Sequence, residues 1–157
     1  MKDNTLPKIT QAADHIMIQV ARTLMAIMEQ RDELLNLHCV RVANNCVNFC
    51  ERFLAAGEQE IEAIYLAGVL HDIGSIFLPL NILQKPAALT GDENALVRAH
   101  PVTGENILAH LTGLNDILPI IRHHHESFDG TGYPDGLKGQ EIPLVPVSCV
   151  FSTAMIP

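Results

Sequence analysis

Eight histidines stand among 157 residues. Five of them, His38, His71, His100, His124 and His125, fall on helix-like stretches or at their ends, beside acidic or glycine residues. Neutral imidazole is a good ligand for transition metals, and a nearby carboxylate can bridge two ions. The adjacent His71 and Asp72 supply both donor types at one point. A single buried histidine is more often a satisfied core residue than a ligand, so the argument rests on the set. Two close ions suit phosphate-ester hydrolysis, because they acidify water and neutralise charge on the phosphate oxygens. Other chemistries lack support. No G-x-S-x-G occurs, and there is no P-loop or G-x-G-x-x-G leading into a helix. Cys39 adjoins His38, but helix neighbours one residue apart face different ways.

These residues need a scaffold, and the composition supplies one. Apolar residues make up 48% and charged residues 18%, which is the balance of a globular chain with one sizeable core. Aromatics are 4% with no Trp, so that core must be aliphatic. Apolar residues recur at helical spacing from Asp14 to Glu29, again through Val40, Ala43, Val47, Cys50 and Leu54, and through Ile61, Ile64, Tyr65 and Gly68. Gly57 reads as the stop between the last two helices. Thr90 with Glu93 reads as a capping box opening a helix to Ala99, with further helices over Gly104–Leu111 and Asp116–His125. No period-two strand is visible, and the class is all-α. Four glycines crowd the stretch Asp129–Gly139, which reads either as tight turns or as a loop with a task.

A net charge of −8 suits neither a DNA nor an RNA polymer, although bound cations could make one pocket locally positive. Cys39, Cys46, Cys50 and Cys149 form no C-x-x-C pair and read as reduced thiols of a cytoplasmic protein. The first ten residues lack a signal peptide's apolar run. The uncharged stretch from Ile142 falls short of the roughly 18–20 residues needed to span a bilayer and carries Pro143 and Pro146.

Four segments then carry a resemblance: L-H-D-I-G (Leu70–Gly74), L-P-L-N-I-L-Q-K-P-A-A-L-T (Leu78–Thr90), H-P-V-T-G-E-N-I-L (His100–Leu108) and H-H-E-S-F-D-G-T-G-Y-P-D-G-L-K-G-Q-E-I-P (His124–Pro143). In order and spacing they resemble the HD-GYP family of bacterial cyclic di-GMP phosphodiesterases, from about Asp32 to near Pro143. The resemblance implies an HD-type helical bundle with a Gly-rich loop, residues 31–157 forming that domain behind an N-terminal helix at 1–30. It implies two divalent transition metals, iron or manganese, held by His38, His71, Asp72, His100, His124 and His125, with Asp72 the bridging catalytic carboxylate. His123 precedes the matching pair and is left out, as are His15 and His110. Gly132, Tyr133 and Pro134 become a substrate-side loop that could also meet a protein partner. The implied ligand is cyclic di-GMP or a related small nucleotide.

The chain departs from the family pattern at four places. Ser75 stands where the family has a phosphate-neutralising lysine, and Leu80 where it has an aspartate. Leu34 replaces the glutamate that supports a third metal in some members, and Glu33 would point about 100° away around the helix. Two metals at most are therefore expected. Ten residues past Pro143, where the family carries a ligating aspartate, Thr153 stands, and the family's following basic segment has no counterpart before Pro157. The domain is thus expected to be C-terminally short. These departures leave two readings: a working phosphodiesterase, or a metal-binding sensor or interaction module without turnover.

Overall fold

The computed structural model describes residues 6–54 and 56–143, with side chains from residue 17 onward. Among the described residues, seven α-helices carry the fold: α1 (Leu6–Arg31), α2 (Glu33–Phe53), α3 (Glu58–Leu70), α4 (Leu80–Leu83), α5 (Gly91–Arg98), α6 (His100–Leu108) and α7 (Leu118–His123). Short 3-10 turns at Ile73–Phe77, Thr112–Ile117 and Gly139–Glu141 join them, and no strand occurs among the described residues. The all-α expectation holds.

Helix α2 shows why the bundle forms. Cys39, Val42, Ala43, Cys46 and Cys50 recur at steps of three and four, and all five are buried. They belong to one core cluster with Ile64 and Ala67 of α3, Ala21 and Met28 of α1, Leu108 of α6 and Ile120 and Ile121 of α7. The core is aliphatic and sulfur-bearing, as the composition requires. Asp32 alone separates α1 from α2. Its Oδ1 accepts from the Leu34 and Leu35 amides at 2.9 and 3.1 Å, capping α2. No described helix is long and apolar enough to cross a membrane.

Several boundaries differ from the periodicity reading, each for a local reason. Gly57 is the N-cap of α3 instead of the stop of α2, because its N–H donates to Glu60 Oε2 at 2.8 Å. Helix α6 begins at His100, four residues early, since Pro101 suits a first turn that needs no amide donor. The expected helix over Asp116–His125 is split: Thr112–Ile117 is a 3-10 turn, and α7 starts at Leu118 with Pro119 in its first turn. The Thr90–Glu93 capping box forms as expected, with the Thr90 amide 2.7 Å from Glu93 Oε2 and the Glu93 amide 3.3 Å from Thr90 Oγ1.

Two close approaches bring distant segments together. A Cβ on Gly68 would lie 2.5 Å from Ala43 Cα, so α3 and α2 meet backbone to backbone. A Cβ on Gly74 would lie 2.0 Å from the His100 carbonyl oxygen and 2.7 Å from the Gly104 nitrogen. Only glycine lets the turn after α3 press against the start of α6.

Candidate metal centre

Three helices end at one place. His71 follows the last residue of α3, His100 lies two residues past the end of α5, and His124 follows α7. Each donates its Nδ1–H to a carbonyl of the preceding helix: His71 to Gly68 at 2.8 Å, His100 to Val97 at 2.7 Å and His124 to Ile121 at 2.7 Å. A carbonyl can only accept, so the proton sits on Nδ1 and the ring turns Nε2 inward. The same bonds satisfy carbonyls that a helix end leaves without partners. Converging helix C-termini also favour a positive charge between them.

Asp72 is the point of convergence. Its Oδ1 lies 2.9 Å from His100 Nε2 and 3.6 Å from His124 Nε2; its Oδ2 lies 3.2 Å from His71 Nε2 and 4.0 Å from His38 Nε2. The candidate donor atoms fall into two sets that share this carboxylate: Asp72 with His100, His124 and His125, and Asp72 with His38 and His71. The six residues singled out in the sequence as ligands therefore stand together. His123 does not join them; its ring bonds the Pro119 carbonyl and Asp135 Oδ2 at 2.8 and 2.9 Å. His110 is exposed on the surface, and the side chain of His15 lies outside the described residues. Leu34 and Glu33 are exposed and add no ligand to either set. Thr153 and Cys149 also lie outside the described residues.

The donor set fits a metal ion on its own chemistry. His100 Nε2 and His124 Nε2 are 3.1 Å apart, and both rings have their Nδ1–H committed. Two such lone pairs repel unless a proton or a cation lies between them, and a divalent cation held there would also have Asp72 Oδ1 within reach. Electrostatics favour the ligating forms of His124, His125 and Asp72. Burial first, then the neighbouring charges, pushes His124 down to about 4; burial and then His124 and His100 push His125 to about 2, so both are neutral near pH 7. Burial would raise Asp72, but the His71 charge and hydrogen bonds from His100, His124 and His71 outweigh it and hold the carboxylate well below its usual range. His71 is raised well above the ordinary value because Asp72 overcomes its own desolvation.

Glu126 is a residue whose role the sequence did not reveal. It is buried, and its carboxylate accepts from three consecutive amides of the Gly-rich loop: Asp135 at 2.7 Å, Gly136 at 3.0 Å and Leu137 at 3.0 Å. The available signal was an acid directly after two ligand histidines and before a glycine-rich stretch. The loop is drawn tight around this anchor. A Cβ on Gly132 would fall 2.3 Å from the Ser127 nitrogen, and Gly130, Gly136 and Gly139 have positive φ. The Tyr133 amide donates to the His125 carbonyl at 3.2 Å, and its ring stacks on the His125 ring at 4.6 Å. Arg122 clamps Asp135 with two bonds of 2.7 and 2.9 Å and holds Glu105 of α6 at 2.7 Å. The loop therefore borders the donor cluster, with Tyr133 covering His125.

Comparison with known proteins agrees with this geometry. The sequence model of the HD domain family matches residues 22–145. A cyclic di-GMP phosphodiesterase of Vibrio cholerae is 36% identical over 138 residues, 78% of this chain and 28% of that protein. A 3'3'-cGAMP-specific phosphodiesterase of the same organism is 33% identical over 128 residues, 80% of this chain and 24% of that protein. The solved structure of Bd1817, an HDG"Y"P protein from Bdellovibrio bacteriovorus, superimposes with a TM-score of 0.66 at 25% identity, covering 92% of this chain and 47% of that one. The chain belongs to the HD domain family, in its HD-GYP branch. It spans about a quarter of the length of the two curated relatives.

Proposed function

We propose that this chain is a metal-dependent phosphodiesterase-type domain that opens cyclic di-GMP to the linear dinucleotide or to GMP. The observation that carries the reading is one partly buried carboxylate, Asp72, shared between two imidazole sets. His38, His71 and Asp72 would hold one divalent ion, and Asp72, His100, His124 and His125 the other. Imidazole and carboxylate without thiolate favour iron or manganese. Such ions supply acidified water and neutralise phosphate charge during in-line displacement. The chain's own part is to fix the donors: Nδ1–H bonds set three rings, and the Glu126-anchored loop, with Gly132, Tyr133 and Pro134, closes one side. Buried, unpaired Cys39, Cys46 and Cys50 fit a cytoplasmic setting. Exposed Phe128 at the start of the loop supports a protein contact there.

A second reading, a metal-binding sensor without turnover, is favoured by Ser75. That residue is buried and uncharged where the family pattern has a lysine. One preparation decides between them. Protein purified anaerobically with iron or manganese supplied is assayed for metal content and for cyclic di-GMP hydrolysis. Near two ions per chain with linear product is the expected result. Metal without product selects the sensor, and no bound metal removes both readings.

A further inference from the structure

The described cations have different employment. Lys85 pairs with Glu93, Arg122 pairs with Glu105 and Asp135, and Arg31 donates to the Leu78 carbonyl at 2.8 Å. Arg98 pairs with no carboxylate among the described residues. It is exposed at the last residue of α5, two residues before His100, and its guanidinium lies 4.6 Å from the centre of the Tyr133 ring. Tyr133 stacks in turn on His125, at 4.6 Å and 18° between planes, and His125 stands edge-on to His100 at 4.9 Å. A continuous run of ring contacts thus leads from the donor cluster through the Gly-rich loop to an open guanidinium.

Stacking uses the face of a guanidinium and leaves the N–H donors at its edge available. Those donors match two oxygens of one phosphate, which a lysine's point charge does not do. Arg41 and Arg52 likewise form no ion pair with a carboxylate among the described residues; what sets Arg98 apart is its seat on Tyr133, two residues before His100. We propose that Arg98 is a phosphate-binding residue of this site, taking two oxygens of a substrate phosphate on the edge of a guanidinium held by Tyr133. The proposal rests on the phosphodiesterase-type reading above and names a recognition element within it.

The test is calorimetric binding to the metal-loaded chain, with inorganic phosphate and cyclic di-GMP as separate probes, at two salt concentrations. Arg98→Gln keeps a planar group for the Tyr133 stack and removes the charge; Arg98→Lys keeps the charge and removes the fork. Metal content and melting temperature should match the parent in both. Arg98→Gln is expected to bind both probes about tenfold or more weakly, with a shallower salt dependence, and Arg98→Lys to fall between. Unchanged affinity for both probes in Arg98→Gln, or a parent that binds neither, overturns the proposal. A parent that binds phosphate through Arg98 but not cyclic di-GMP keeps this inference and removes the cyclic di-GMP assignment instead.

Discussion

The two imidazole sets that share Asp72 are built to different standards. In the inner set, His100 and His124 are buried, their Nδ1–H groups are fixed by carbonyls, and His125 is covered by Tyr133. In the outer set only His71 is held this way. His38 is a quarter exposed, sits in the second turn of α2, and keeps its Nε2 4.0 Å from Asp72 Oδ2. The inner set has four donors and the outer set three. Preorganised donors lose little freedom on binding and ligate more tightly. The inner position should therefore hold its ion first and release it last.

Asp72 belongs to both sets, so Asp72→Ala gives the largest effect. Metal analysis should find both ions gone. Thermal unfolding should drop with them, because an ion that binds only the folded chain stabilises by mass action, about 2.7 kcal/mol at a hundredfold excess over Kd. Retention of one ion in this variant would mean that the carboxylate is not shared. Chelation of the parent should reproduce the stability loss.

This asymmetry was only partly legible in the sequence. Helical spacing found α1, α2 and α3, because a face such as Cys39, Val42, Ala43, Cys46 and Cys50 repeats at the period of the backbone. The capping box at Thr90 was equally plain, since both of its bonds are local. The short elements around Pro101 and Pro119 were not, because there the period runs out within two turns. The grouping of donors came from the resemblance, because nothing in the spacing of His38, His71, His100 and His124 says that their helices converge. Gly68 and Gly74 encode that convergence through backbone contact, which a single sequence displays only as two more glycines. Glu126 escaped for a similar reason: its partners lie nine to eleven residues on and are amides, which have no residue identity to notice.

Glu126→Ala probes the inner set through its surroundings. It leaves three loop amides without their buried acceptor, at a cost of roughly 2–4 kcal/mol by denaturant unfolding. The Gly-rich loop should lose protection in hydrogen exchange while α2 and α3 keep theirs. With Tyr133 released from His125, the inner ion should bind more weakly and the outer ion should be unaffected. Equal weakening of both ions would break the contrast between the sets.

His38→Ala reverses the pattern. It removes a half-buried ligand from the outer set only, so one ion should remain, and the melting temperature should fall less than in Asp72→Ala. Titration of the variant should show a single class of site with the affinity of the parent's tighter one. Loss of both ions would show that His38 supports the whole cluster.

The smallest expected effect has the opposite sign. Arg41, one turn along α2 from His38, places its guanidinium nitrogen 3.4 Å from His38 Nδ1. A guanidinium can only donate, so this contact favours the His38 tautomer with its proton on Nε2, the nitrogen that faces Asp72. That is the reverse of the arrangement in His71, His100 and His124, and it competes with ligation. The fixed positive charge also opposes an incoming cation; beside burial, which is the larger cause, and with His71, it contributes to the lowered pKa of His38 despite the pull of Asp72. Arg41 is exposed, so solvent screens its charge and the penalty is about 1 kcal/mol or less. Arg41→Gln should thus tighten the outer ion a few-fold, leave the inner ion unchanged, and lose its advantage in high salt, where screening already hides the charge. Metal titration at low and high ionic strength measures all three. An outer affinity that falls in Arg41→Gln would mean that the guanidinium orients His38 for binding and that the outer set is better organised than its distances indicate.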